Sequence, residues 1–212
     1  MEISELYKIY QKHPNVSIDS RNVKENSIFF SIKGPNFDGN KYAKKAISNG
    51  AKYAIVNDKK LATKINFIFF KDTLKVLQNL ANFHRRKLKI PIIAITGTNG
   101  KTTSKELIKE CLGTQMNTAY TKGNLNNHIG VPLTLLEIKL SDNVAIIEMG
   151  ANHPKEIKEL CNIAEPNFGI ITNIGLAHLE GFKSLDGVKK TKKELYDYIK
   201  SKNGKIFVNS DD

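Results

Sequence analysis

The sequence lacks the features of a secreted, membrane-spanning or disulfide-bonded protein. Only two cysteines occur in the 212 residues, Cys111 and Cys161, and both lie in helix-like stretches, so neither a disulfide framework nor a zinc site is expected. No uninterrupted apolar run reaches the ~20 residues that a membrane span needs. The first residues contain no apolar signal-peptide core. We therefore expect a cytoplasmic protein without membrane insertion.

Arginine is scarce, although the chain is strongly basic. The formal net charge of +12 raises the hypothesis of nucleic-acid binding. The excess is nearly all lysine, spread along the chain, and the only arginines are Arg21, Arg85 and Arg86. Guanine reading and bidentate phosphate clamping favour arginine. We therefore interpret the charge as a solvated lysine-rich surface that attracts anionic substrates, and we do not expect nucleic acid as a partner.

The succession of strand and helix patterns predicts two domains, residues 1–87 and 88–212. The first reads as a small α/β unit with a strand at Ser27–Ile32 and a helix capped by Asp72. A buried parallel-type strand at Ile90–Thr96 opens the second domain, where strands and helices alternate. This alternation predicts an α/β fold class with a parallel, doubly wound sheet. Because a strand directly precedes Ser210–Asp212, we expect the chain to be a fragment or a truncated product.

A loop between a strand and a helix carries the strongest motif, Gly97-Thr98-Asn99-Gly100-Lys101-Thr102-Thr103. Its small residues allow backbone N–H groups to turn inward around phosphate oxygens, and the helix N-terminus adds partial positive charge. Lys101 can reach the β- and γ-phosphates of a nucleotide, and the Thr102 hydroxyl can ligate Mg²⁺. Ile95 stands where the longer nucleotide-loop pattern has its first glycine, so the match is to the shorter form GxxGKT. The alternative is an ordinary strand-to-helix turn.

Polar residues are expected at the carboxyl ends of the parallel strands, where ligands bind in such sheets. Glu148 follows the apolar run Val144–Ile147, and Asn173 follows a later strand, with His178 in the loop beyond. A carboxylate at this place can hold Mg²⁺ near the γ-phosphate, and His178 can ligate a second metal. Each also has a plain interpretation, Glu148 as a surface acid and His178 as a loop histidine.

The segment 124–132, Asn-Leu-Asn-Asn-His-Ile-Gly-Val-Pro, is rich in amide side chains and turn residues. Amides suit sugar or phosphate oxygens. Turn formation explains the same composition equally well.

Together these motifs resemble the Mur ligase family, which builds the peptide stem of bacterial cell-wall precursors. The family's loop GTNGKT[ST] is matched by Gly97–Thr103. The segments 124–132, 148–151 and 173–182 are similar to the family members that add D-alanyl-D-alanine. Asp19–Arg21 and the segment 33–39 fit the first, uridine-nucleotide-binding domain of those members.

The resemblance implies roles on the ATP side. ATP is bound by the loop residues Gly97, Thr98, Asn99, Gly100, Lys101, Thr102 and Thr103. Mg²⁺ is ligated by Thr102, Glu148 and His178.

The resemblance also implies roles around the reacting groups. Asn126 and Asn127 lie near the reacting phosphate or substrate, and the catalytic set is Lys101, Asn126, Asn127, His178 and Lys192. The substrate's uridine diphosphate is bound by Ser20, Arg21, Lys33 and Gly34. Lys192 aligns with a lysine that the family often carbamylates, which makes it a further Mg²⁺ ligand. Lys193 departs from the family pattern, which has glycine there.

The implied activity is ATP-dependent addition of D-alanyl-D-alanine to UDP-N-acetylmuramoyl-tripeptide through an acyl phosphate. Family members have a third, C-terminal domain, which we do not expect in this chain, and we expect little or no turnover by the chain alone. A monomer is expected. The alternatives are another Mur-type or folylpolyglutamate-type ligase, or a non-catalytic nucleotide-binding module.

Overall fold

The computed structural model describes residues 1–176 and 179–209. These form two compact units that divide between His84 and Arg85. The domain bounds 1–87 and 88–212 stay a prediction.

The first unit is a four-stranded parallel sheet with helices. Its elements are α1 Ile3–Lys12, β1 Val16–Ser17, β2 Ser27–Phe30, β3 Lys33–Gly34, β4 Phe37–Asp38, α2 Asn40–Ser48, β5 Ala51–Val56, β6 Phe67–Phe69 and α3 Thr73–Lys87, the last of which contains the division. The sheet order is β1-β2-β5-β6 with every pair parallel, and β3 and β4 form a separate antiparallel hairpin. All four residues of β2 are buried, as expected for a strand covered on both faces.

Small residues let α2 approach the sheet closely. Ala43 and Ala46 of α2 pack against Phe29 of β2 and Ala54 of β5 in one buried cluster. The alanines leave room for the large ring, so the volumes complement each other across the layer.

The second unit is a five-stranded parallel sheet. Its elements are β7 Ile92–Thr96, α4 Lys101–Gly113, β8 Thr118–Tyr120, α5 Gly130–Glu137, β9 Val144–Glu148, α6 Glu156–Ala164, β10 Phe168–Ile171, α7 Leu179–Phe182, α8 Leu185–Ser201 and β11 Lys205–Phe207. The sheet order is β11-β10-β7-β9-β8, and all neighbours are parallel. This order places β7 between β10 and β9. The loops that follow all three strands therefore meet at one edge, where ligands bind in parallel sheets.

Arg85 anchors the first residues of the second unit. Its buried guanidinium donates hydrogen bonds to the carbonyl oxygens of Leu88, Ala164 and Glu165, and to Asn167 Oδ1 at 2.8 Å. One planar guanidinium thus satisfies carbonyl oxygens from the segments that precede β7 and β10.

The predicted α/β class with a parallel sheet is confirmed, whereas some short elements differ from expectation. A loop was expected at 34–39, and the structure has the β3–β4 hairpin there. The short edge strand β8 and the helix α5 were not predicted. β8 has only three half-buried residues, and α5 starts with Gly130-Val131-Pro132, which reads as a turn. Pro132 lies in the first helical turn, where its missing N–H would have no partner inside the helix.

No helix in residues 1–176 and 179–209 is long and apolar enough to cross a membrane.

Candidate functional site

The loop between β7 and α4 has a positive-φ backbone, which favours glycine, at two points. Gly97 has φ of +148° and Gly100 has φ of +75°. A Cβ on Gly97 would lie 2.0 Å from Thr172 Oγ1, so a side chain there is excluded by contact as well as by conformation. The two glycines bend the chain directly into the first turn of α4.

The loop that follows β10 braces this turn. The N–H of Thr98 donates to the Asn173 carbonyl at 3.1 Å, and the N–H of Asn99 donates to Asn173 Oδ1 at 3.0 Å. Thr172 Oγ1 donates to the Asn99 carbonyl at 2.6 Å. Asn173 therefore supports the loop. The amides still facing outward are those at the start of α4, where Lys101, Thr102 and Thr103 have no carbonyl within the helix to donate to. Such a helix end favours an anion.

Lys101 lies folded over the loop. Its Nζ donates to the carbonyl oxygens of Gly97 at 2.9 Å and Thr98 at 3.0 Å. Burial lowers the pKa of Lys101, and the nearby Glu148 carboxylate partly opposes that effect. An incoming phosphate would offer the ammonium a charged partner in place of two neutral carbonyls, and hydrogen bonds to charged groups are the stronger kind.

Glu148 connects three parts of the sheet edge. Its carboxylate accepts a hydrogen bond from Thr102 Oγ1 at 2.9 Å and another from Asn126 Nδ2 at 2.8 Å. Its backbone N–H donates to Thr121 Oγ1 at 3.0 Å. The residue is only 2% exposed. The structure thus brings together three residues singled out from the sequence: Thr102, Asn126 and Glu148.

A cavity of about 390 Å³ opens beside this group and contains further candidates. Lys101, Asn126, Asn127 and Lys192 all contribute to its lining. Asn127 Oδ1 accepts the N–H groups of Ile129 and Gly130, so one end of this side chain holds the start of α5.

Lys192 lies on α8 and is 3% exposed. Its Nζ is 5.8 Å from the centre of the Phe182 ring. Burial, and next the like charge of Lys101, lower the pKa of Lys192 to about 8. A larger share of its amine is therefore neutral near physiological pH than in an ordinary lysine, and the neutral form is the one that reacts with electrophiles. Lys193, the departure from the family pattern, points elsewhere and pairs with Asp197.

Oxygen ligands for Mg²⁺ are present in part. His178 lies outside the described residues. Within the part of the chain that the structure describes, no three His, Cys, Asp or Glu side chains cluster as a metal-binding group. Mg²⁺ usually uses one or two carboxylates together with waters and substrate phosphates. The adjacent oxygens of Thr102 and Glu148 fit that pattern beside a phosphate-binding helix end.

A second cavity, of about 420 Å³, belongs to the first unit. Ser20 and Arg21 line it, together with Phe37 and Tyr42, whose rings stack with centroids 5.4 Å apart. Arg21 forms an ion pair with Asp19 at 2.8 Å, and its hydrogen bonds lower the pKa of Asp19 to about 2. The other two predicted substrate residues, Lys33 and Gly34, lie on β3 of the hairpin that carries Phe37 and are not among the residues that line this cavity.

Sequence reasoning missed the residues that hold the site in place. Thr121 follows the unpredicted strand β8, and Lys105 is a fully buried lysine in α4. Phe37 lies in the segment 33–39, which was singled out by its resemblance to the family's first domain, whereas nothing in the spacing marked Tyr42, Lys105 or Thr121.

Comparison with protein families gives two matches. Residues 95–212 match the model described as "Mur ligase middle domain", and residues 13–85 match "Mur ligase family, catalytic domain".

Among curated proteins, the chain is 39% identical to the UDP-N-acetylmuramoyl-tripeptide–D-alanyl-D-alanine ligase of Haemophilus influenzae over 203 residues, covering 92% of this chain and 44% of that protein. The Escherichia coli protein of the same name is 37% identical, with 92% and 43% covered. The chain thus spans less than half the length of these relatives.

Among solved structures, MurF from Acinetobacter baumannii superposes with a TM-score of 0.83 at 33% identity, covering 93% of this chain and 46% of that one. MurF ligase from Thermotoga maritima in complex with ADP gives a TM-score of 0.80 at 29% identity, with 90% and 44% covered.

Proposed function

The chain belongs to the Mur ligase family, and from this premise we propose that it carries the ATP-binding and uridine-nucleotide-binding parts of a ligase that adds D-alanyl-D-alanine to UDP-N-acetylmuramoyl-tripeptide. The observation that supports this best is the contact of Glu148 with Thr102 and Asn126, directly beside a phosphate-loop helix. The proposed substrates are those given in the names of the curated relatives.

In the proposed reaction, a carboxylate oxygen of the tripeptide attacks the γ-phosphorus of ATP and ADP leaves, giving an acyl phosphate. The amine of D-alanyl-D-alanine then attacks the acyl carbon, and the tetrahedral intermediate loses phosphate and a proton to give the amide. This activation is needed because a free carboxylate is a poor electrophile.

The chain's own groups would act through charge and position. Lys101 would move from the carbonyls of Gly97 and Thr98 onto the transferring phosphoryl group, where its charge counts most in the transition state. The first N–H groups of α4 would hold the phosphates in line. A Mg²⁺ ion held by Thr102 and Glu148 would neutralise phosphate charge. Asn126 and Asn127 would lie near the reacting phosphate.

Lys192 would be carbamylated. Its ammonium would first release one proton. The neutral amine would then attack CO₂, forming a C–N bond and releasing a second proton, so that a cation would become an anion. The lowered pKa and the position of Lys192 in the same cavity as Lys101 support this role.

In the first unit, Ser20 and Arg21 would bind the uridine diphosphate, with the Phe37–Tyr42 pair beside them. Lys33 and Gly34 stay predictions, as do His178, the cytoplasmic location and the monomeric state. Because the chain spans less than half of its relatives, we expect substrate binding with little or no ligase turnover.

Calorimetry tests the proposal on the chain itself. ADP with Mg²⁺ and a uridine nucleotide should bind separately, and Lys101→Ala should weaken the first and spare the second. Lys89→Ala is the matched control, since that exposed lysine lies outside the loop. Unchanged ADP affinity in Lys101→Ala would refute the proposal.

A further inference from the structure

Lys105 has a position that the phosphate-loop motif does not explain. It lies one turn after Lys101 in α4 and is 0% exposed. Its Nζ donates to the Thr121 carbonyl at 2.7 Å and lies 3.0 Å from Glu106 Oε1. Removing an ammonium from water is costly unless partners compensate. The Lys105 side chain therefore has one backbone oxygen, one carboxylate and, 5.8 Å from Nζ, the centre of the Tyr120 ring as its partners.

Thr121 is the point at which β8 passes into the amide-rich loop. Its N–H donates to the Ile146 carbonyl at 3.0 Å, and its hydroxyl accepts the N–H of Glu148 at 3.0 Å. The loop that starts here carries Asn126, whose amide donates to the Glu148 carboxylate. Lys105 therefore binds the carbonyl of the same residue whose hydroxyl holds the Glu148 N–H. That residue also begins the loop that carries Asn126.

These contacts form a closed ring. Helix α4 carries Thr102 and Lys105; Thr102 binds the Glu148 carboxylate, while Lys105 binds Thr121, which in turn holds the Glu148 backbone. Helix α4 thus fixes both the side chain and, through Thr121, the backbone of Glu148. Lys109, one turn further along α4, is half-buried and pairs with Glu110.

We propose that Lys105 is a positioning residue that sets the Glu148 carboxylate against the Thr102 hydroxyl for the divalent cation that accompanies the nucleotide. This inference rests on the proposed function. Residues that orient a metal ligand without touching the metal affect affinity because they fix the ligand's geometry.

The test is Lys105→Met, which keeps the apolar stem and removes the charge. ADP binding to the 212-residue chain is titrated at increasing Mg²⁺ and also in chelator. The Mg²⁺ concentration for half-maximal enhancement should rise about tenfold or more, while ADP affinity in chelator stays near the wild-type value. Lys89→Met, at an exposed lysine outside α4, should leave both quantities unchanged.

A double-mutant cycle separates positioning from general destabilisation. In a Glu148→Gln background, Lys105→Met should no longer shift the Mg²⁺ dependence. If Lys105→Met fails to fold, Thr121→Val carries the test, because it removes the hydroxyl that accepts the Glu148 N–H and should shift the Mg²⁺ dependence in the same direction.

Each further outcome decides against a specific claim. A Lys105→Met chain with the Mg²⁺ dependence of the wild type overturns the positioning role, as does an equal loss of ADP affinity with and without Mg²⁺. If the wild-type chain binds ADP without any Mg²⁺ dependence, the proposed function fails, and the role of Lys105 fails with it.

Discussion

Replacement of Lys192 by methionine should stabilise the second unit and remove part of its pH dependence. Burial, with the charge of Lys101, lowers the pKa of Lys192 from its ordinary 10.5 to about 8. Between those pH values the unfolded chain binds a proton that the folded chain has released. The free energy of unfolding therefore rises with pH across this window, and the cost of the buried charge is fully present below about pH 8.

The magnitude follows from the same difference. The lowered pKa of Lys192 corresponds to a cost of about 3 kcal/mol in the free energy of unfolding, an upper estimate because the side chain still lines the cavity. In CO₂-depleted buffer, urea unfolding of Lys192→Met at pH 7 should show a gain of up to that size. Its stability should change less than that of the wild type between pH 8 and 10.5.

Lys193→Met is the matched control because Lys193 is exposed on the same helix and pairs with Asp197. Its effect should stay within about 0.5 kcal/mol. The reasoning is refuted if the wild type and Lys192→Met give parallel stability curves over this pH range. With ¹³C-bicarbonate, only chains that retain Lys192 should give the extra carbamate carbonyl resonance expected for a carbamylated lysine.

Three further predictions concern packing and substrate contacts. Gly97→Ala should lower the free energy of unfolding by more than the about 1–3 kcal/mol of backbone strain, because the new Cβ also meets the Thr172 hydroxyl. Thr172→Ala in the same chain should restore only the part due to that contact, and a full rescue would contradict the strain. Arg85→Met should cost about 3 kcal/mol because buried carbonyls lose their donors, whereas Arg86→Met, which breaks an exposed ion pair, should cost less than about 1 kcal/mol, both by urea unfolding. Tyr42→Ala should weaken uridine-nucleotide binding about tenfold by calorimetry if the base stacks there, and unchanged affinity would place the base elsewhere.

The parts of the fold that were predictable from sequence are those with local signals. The apolar run Val144–Ile147 and Glu148 form the buried strand β9, and the helix expected after the phosphate loop begins at Lys101, inside the motif. Both elements are specified by residues close together in the sequence. β8 was missed because three half-buried residues give no periodicity, and its strand state depends on pairing with β9.

The candidate site was predictable as a set of residue types but not as an arrangement. The carboxyl ends of parallel strands predicted that Glu148 would lie near the phosphate loop. That Asn126 donates to the same carboxylate depends on the order β9-β8, which sequence alone did not give. Lys105 could not be found because a lysine in an amphipathic helix normally faces solvent, and only the tertiary structure shows that it faces inward.

The carboxylate at the end of β9 receives its donors from within the protein. Thr102 and Asn126 each occupy one of its two oxygens, so this buried anion is compensated before any cation arrives. Chelators should therefore leave the chain folded, in contrast to small zinc domains, in which binding and folding are a single event. The proposed nucleotide and cation could therefore leave the site without unfolding the chain.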